Sequence, residues 1–241
     1  MEARGDEVIV ETVTIETRYH GPEGSGNGGY VAGLLAGHVS SDAVTVTLRC
    51  PPPLETGLRI TTDGDRGIGA RLWDGERLVA EALAGAIVVP PVPAVSHAEA
   101  LEAAEKYRTA ERHPFPGCFV CGPDREPGDG LRLEPGPAGE GLVAAPWTPG
   151  VVPEREIMWA VLDCPGGLSV GQADPPVVLG TMTAQITEPP EAGEPCVVMG
   201  LTRSREGRKV HAATAAYGAD GRLLGRAEQI WIEVDPGRFG A

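Results

Sequence analysis

The sequence predicts an α+β protein assembled from two copies of one unit, and three observations lead there. Short apolar runs alternate with polar residues along most of the chain, the period of half-buried strands, with few stretches of helical character. The same order of segments occurs twice: a strand or two, a loop, a short apolar helix, then four strands. Turn signals fall at matching places in the two copies. Leu48-x-x-Pro51-Pro52 answers Ile186-x-x-Pro189-Pro190, and Asp74-Gly75 answers Asp220-Gly221. A repeat of about 110–120 residues is far longer than a solenoid period, so it implies two domains packed as a pseudo-dimer with its two-fold inside the chain.

The first copy opens at residues 8–19 (VIVETVTIETRY), whose alternation reads as a strand. The glycine-dense loop HGPEGSGNGGY leads into YVAGLLAGHV, a short apolar helix. Strands are expected at 43–50, 58–62, 68–73 and 77–89, the last two joined by the Asp74-Gly75 hairpin signal. Residues 1–93 form this repeat, 94–112 a connector holding the charged, alanine-rich helix His97–Arg108, and 113–241 the second repeat. There, strands are expected at 130–134 and 141–147. The helix 156–163 (EIMWAVLD) should end near Pro165, which lacks the helical N–H. Strands at 177–187, 196–202, 208–217 and 222–234 complete the copy.

Composition narrows the function classes. Of 241 residues, 34 are Gly and 23 Pro, a share that approaches low complexity, but 41% are hydrophobic, enough to bury a core. Asp and Glu number 34 against 20 Lys and Arg, for a formal net charge of −14. With no basic run longer than Arg208-Lys209, this argues against nucleic acid or an anionic membrane surface as partner. No apolar stretch approaches the roughly 20 residues of a membrane span, and the acidic first residues lack a signal-peptide layout. Five scattered cysteines (50, 118, 121, 164 and 196) fit reduced thiols in a cytoplasmic protein.

Three motifs in the second copy are more specific. They are Gly117-Cys118-Phe119-Val120-Cys121-Gly122 followed by Gly130-Leu131-Arg132-Leu133, the run Ala160-Val161-Leu162-Asp163-Cys164-Pro165-Gly166-Gly167, and the hairpin from Asp220 to Gln229. The first two resemble segments of phenylacetate-pathway-type thioesterases, and the third resembles the last hairpin of type II acyl-CoA thioesterases. Together with the segment order, they make nearly the whole chain similar to a tandem double hotdog of the hotdog-fold thioesterase superfamily. The resemblance implies two curled antiparallel sheets, each wrapping a central helix. It implies an Asp at the place of Asp163 acting as base or nucleophile, with Gln229 and a Thr helping to hold the hydrolytic water. Thr181 and Thr183 share a strand face, and Thr181 fits the helix-proximal position slightly better.

The residues can be read chemically as well. Thioester hydrolysis needs a carboxylate to activate water or to attack, and donors to hold the oxyanion. Asp163 is the charged residue in an otherwise apolar octet beginning at Ile157, where desolvation would raise its pKa and nearby donors would lower it. Gly28 and Gly29 open the first helix, whose free N–H groups and dipole suit an oxyanion, and Asn27 adds a side-chain amide. Hotdog sites resemble one another in pairing the acid of one copy with the helix start of the other. That would join Asp163 to Asn27, Gly28 and Gly29. The reciprocal site is eroded, with Ala36 at the place of Asp163, Ala84 near that of Gln229, and Arg155-Glu156 near that of the glycine pair.

Cys118-x-x-Cys121 has zinc-like spacing, but no second pair follows and His113 leaves a ligand missing, so no metal and no cofactor are expected. His20 is read as a loop residue able to reach a site, and His211 as a surface residue. Arg203, Arg205, Arg208 and Lys209 form a basic island, suited to a coenzyme A phosphate or to a solvated hairpin end. The expected activity is that of an acyl-CoA or acyl-carrier thioesterase, with water activated by Asp163 at a composite site between the repeats. A hotdog hydratase or dehydratase and a non-catalytic acyl-CoA-binding sensor are the alternatives. Sheet edges suggest a homodimer or higher assembly.

Overall fold

The computed structural model describes residues 8–63, 69–108, 113–171 and 175–235. Among them, eleven strands form one continuous antiparallel sheet, accompanied by three α-helices. The first half contains β1 (Val8–Thr14), α1 (Gly28–Ala36), β2 (Val44–Leu48), β3 (Gly57–Thr62), β4 (Gly69–Asp74) and β5 (Arg77–Ala84). Helix α2 (His97–Arg108) leads to β6 (Gly136–Gly139), β7 (Leu142–Trp147) and α3 (Arg155–Leu168). The strands β8 (Val177–Ile186), β9 (Cys196–Glu206), β10 (Lys209–Tyr217) and β11 (Leu223–Glu233) follow.

The strand order is β1-β3-β4-β5-β2-β8-β11-β10-β9-β7-β6. Each half therefore repeats one order, and the two expected sheets merge where β2 pairs antiparallel with β8. Thr45 lies opposite Thr183 at this seam, and their hydroxyls are 2.8 Å apart. Val44 and Val46, with Met182 and Ala184 opposite them, turn their side chains to the helices. The intervening threonines face the other side of the sheet. α1 packs on β2 and β5, α3 packs on β8 to β11, and the two helices pack on each other.

Several expectations are corrected. Residues 130–134 are not a strand. Gly130 (φ 124°) and Arg132 (φ 49°) break the extended path, and Leu131 and Leu133 instead donate backbone hydrogen bonds to Phe119 and Val120. The 8–19 strand stops at Thr14 and gives way to a 3-10 turn, Thr17–Tyr19. The 77–89 strand stops at Ala84, where its pairing with β2 ends. Residue 68, the start of the expected 68–73 strand, and residues 109–112 of the connector lie outside the described residues.

The most informative departure is α3, which runs straight through Pro165. A proline in a helix removes one donor and crowds the carbonyl four residues earlier. Side chains from the sheet hydrogen-bond to carbonyls in this turn. Leu162 O accepts Thr214 Oγ1 (2.7 Å) and Gln229 Nε2 (2.6 Å). The connector helix also does more than link. It packs on β6, β7 and β9, and its Ala100 and Ala103 are buried in one cluster with Met199, Ala213 and Ala215 on the sheet face opposite α3, so this part of the sheet is covered on both sides.

Candidate active site

The meeting of α1 and α3 creates the site. Gly29 and Gly33 lie one turn apart on α1, and a Cβ on Gly33 would stand 2.5 Å from the Glu156 Cα. The missing side chains let the helices approach until the start of α1 touches the ninth residue of α3, Asp163. Asn27 caps α1: its Oδ1 accepts the Tyr30 N–H at 2.9 Å. The same amide turns its Nδ2 to Asp163 Oδ2 at 3.0 Å, and the Gly29 N–H reaches that oxygen at 3.0 Å. The Gly28 N–H, the first of the helix, has no partner among the described residues.

Asp163 is 2% exposed, and its Oδ1 is buried without a hydrogen-bond partner among the described residues. Burial pushes its carboxyl up to about 7. The Gly29 N–H opposes that rise, the Cys118 sulfur adds to it, and the Asn27 amide also opposes it. Asp163, Asn27 and Gly28 line a cavity of about 1640 Å³ together with Cys118, Cys164 and Leu179. Its wall is built from both halves of the chain. Tyr19 stacks on Tyr30 at 4.0 Å and meets the edge of Phe119 at 5.0 Å, which fixes the Cys118 loop against α1.

Of the expected site residues, Asp163, Asn27, Gly28 and Gly29 are brought together. Gln229 is inside but occupied elsewhere. Its Nε2 donates to Leu162 O (2.6 Å) and Asp163 O (3.2 Å), its Oε1 accepts the Trp231 indole N–H (2.9 Å), and it does not line the cavity. It braces the proline-containing turn of α3 from below.

Thr181 lies on the other side of the sheet, with its hydroxyl 3.5 Å from that of Thr47. The cause is a bulge at Gly180, where Trp231 pairs with Leu179 and Ile230 with Thr181. Simple alternation from Val177 and Leu179 would turn Thr181 and Thr183 toward α3. The extra residue reverses the faces and puts Met182 there instead. Arg203, Arg205 and Arg208 are engaged near the hairpin end with Pro90 O, Glu233 and Glu233 O, and none of them lines the cavity.

His20 and His113 do line the cavity. The His113 Nδ1 accepts the Phe115 N–H at 3.0 Å, and burial pushes the imidazole pKa down. What the sequence reading missed is Cys164. It sits beside Asp163 on α3 and completes a buried group with Cys118 and Cys121, whose three sulfurs all lie within 4.8 Å of one another. The available signal was a third cysteine directly after the buried acid. Thiol hydrogen bonds from Cys121 and Cys164 hold the Cys118 thiol well below the usual range, and push the other two above it.

No protein-family model and no curated protein matches the chain. Solved structures do. One is a protein assigned as a thioesterase from Novosphingobium aromaticivorans, with a TM-score of 0.61 and 13% identity, covering 93% of this chain and 95% of the other. A tesB protein of Mycobacterium avium subspecies paratuberculosis gives 0.59 and 10% identity, over 96% and 97%. A protein of unknown function with a hot dog fold from Alicyclobacillus acidocaldarius gives 0.57 and 12%, over 93% of each chain. These likenesses span both halves of the chain, and what they establish is its fold, the hotdog fold.

Proposed function

We propose that the protein is an acyl thioesterase whose single working site is composite, with Asp163 as general base and the start of α1 as oxyanion site. The observation that carries this is the buried Asp163 carboxylate, bound by Asn27 and Gly29 from the other half of the chain in the wall of a large cavity. Two donors fix the carboxylate on one oxygen, and the other, Oδ1, buried with no hydrogen-bond partner among the described residues, is the atom assigned to take a proton from water. The Gly29 N–H is committed to Asp163, so the oxyanion donor is the unpartnered Gly28 N–H at the positive end of α1. The full-length likeness to a protein assigned as a thioesterase and to a tesB protein supports the same reading.

In this reading the chain is a tandem double hotdog, with repeats at 1–93 and 113–241 and an internal two-fold passing between Thr45 and Thr183. Val44 pairs with Ala84 as Met182 pairs with Gln229, so Ala84 takes the place of Gln229 in the first copy. The second site lacks the acid as well, since Ala36 stands there, and the protein works through one site. The substrate is an acyl group on coenzyme A or a carrier. Arg132, exposed on the cavity wall and unpaired among the described residues, is the cation available to a phosphate. A hydratase would pair the acid with a histidine. Asp163 instead takes its hydrogen bonds from Asn27 and Gly29, which favours hydrolysis.

The test is thiol release from acyl-CoAs of varied chain length and aromaticity. Asp163→Asn keeps the shape and should reduce turnover by about 10²–10⁴-fold, the usual contribution of a general base. Thiol release untouched by that substitution would refute the mechanism. Tight binding of acyl-CoA without turnover by the native protein would favour a sensor.

A further inference from the structure

We propose that Cys118, Cys121 and Cys164 bind one zinc ion, with the fourth position open to the cavity. The three thiols come from two separate elements, the 117–122 turn and α3, and are all buried. Zinc–thiolate bonds of about 2.3 Å in tetrahedral array put the sulfurs roughly 3.7–3.8 Å apart. The Cys118 and Cys164 sulfurs already stand 3.7 Å apart, and all three lie within 4.8 Å. A contraction of about 1 Å at most would close the set.

The surroundings distinguish this group from ordinary core cysteines. Thiolates need donors, and one stands beside the group. The Asn27 Nδ2 lies 3.9 Å from both the Cys118 and the Cys164 sulfur. Three soft sulfur ligands select zinc over magnesium or calcium, which require oxygen. A disulfide would use two of the thiols and strand the third, which a metal does not. All three cysteines line the cavity, so the open position faces the space beside Asp163. Binding releases a proton from each thiol, and the ion clamps the 117–122 turn to α3.

The test uses the full chain purified under reducing conditions without chelator. The expected result is one zinc per chain by elemental analysis. Cobalt(II) exchanged into the site should give thiolate-to-cobalt charge-transfer absorption and the strong visible bands of a tetrahedral ion. Cys164→Ser should lose the charge-transfer intensity and weaken zinc in chelator competition by more than the roughly 10–100-fold that losing an outer-shell partner costs. Cys50→Ser and Cys196→Ser, outside the cluster, should keep both.

Native protein that takes up no cobalt, or that gives octahedral bands without charge transfer, would overturn the assignment. So would a cobalt spectrum unchanged by Cys164→Ser, or a disulfide within the cluster in freshly reduced protein. The native metal content and cobalt spectrum decide the matter even if Cys164→Ser does not fold. They are independent of thiol release, so failure here leaves the thioesterase reading standing, and the reverse also holds.

Discussion

Gly29 and Asp163 are in direct contact: the glycine N–H donates to Oδ2 at 3.0 Å, and a Cβ on Gly29 would lie 2.4 Å from the Asp163 Cβ. One residue type thus serves both the helix packing and the hydrogen bond to Asp163, because the approach that permits that bond leaves no room for a methyl group.

Gly29→Ala should therefore damage both stability and activity, although alanine is the better helix former. The added methyl meets Asp163 and also the Trp159 carbonyl oxygen, 2.8 Å away, which is not free to retreat. Overpacking of this kind costs about 1–3 kcal/mol. Denaturant unfolding should show a lowered midpoint with an unchanged slope, and thiol release should fall along with it. A variant as stable and active as the native protein would contradict the geometry.

Asn27→Ser separates the two roles of Asn27. A serine can still accept the Tyr30 N–H and cap α1, so stability should stay within about 1 kcal/mol of native. The donor to Asp163 Oδ2 is lost, and turnover should fall while the circular dichroism spectrum is retained. Equal losses in stability and activity would mean that capping was its main contribution.

Gln229→Leu should act chiefly on stability. It removes the donor shared by Leu162 O and Asp163 O and leaves the Trp231 indole N–H without its acceptor. Unsatisfied buried groups cost about 1–3 kcal/mol each, and in a chain of this size each kcal/mol lowers Tm by about 2–4 °C. Per folded molecule, kcat should fall less than in Asp163→Asn. If kcat collapses while Tm is unchanged, Gln229 holds the reacting water after all.

Glu194 and Arg222 set an acid limit on stability. The Arg222 guanidinium grips both carboxylate oxygens at 2.6 and 2.7 Å, with further hydrogen bonds from the Glu191 and Ala219 amides, and holds Glu194 down at about 2. Because the folded value lies below the unfolded one, the contribution is full above the ordinary carboxylate value of 4.5 and is lost as pH falls toward 2. Glu194→Gln should thus have a lower Tm than native at pH 6, and the gap should close as pH falls from 4.5 toward 2. A gap constant across that range would show that protonation of Glu194 is not involved.

Much of the frame was legible in the chain itself. Hairpins at Asp74-Gly75 and Asp220-Gly221 form with both glycines at positive φ (56° and 80°), as their dipeptides require. His97–Arg108 is the helix its composition indicates. Asn27 caps the helix that Gly28 and Gly29 open, and Asp163 is the buried acid that an isolated charge in an apolar helix implies. These features are local: a turn, a cap and a helix face are set by residues within a few positions of each other.

Tertiary structure decided the rest, because the deciding contacts lie far apart in sequence. Pro165 sits inside α3 in a turn whose Leu162 carbonyl accepts hydrogen bonds from Thr214 and Gln229, roughly 50 and 65 residues later. Thr181 faces away from α3 because one extra residue, Gly180, is accommodated only when β8 pairs with β11. The two sheets become one because β2 and β8 meet edge to edge across 138 residues at Thr45 and Thr183. Cys164 joins Cys118 and Cys121 only once the loop folds onto the helix. The sequence by itself determined which residues carry charge, turn and cap. Long-range pairing, which no local window contains, decided which of them share one cavity.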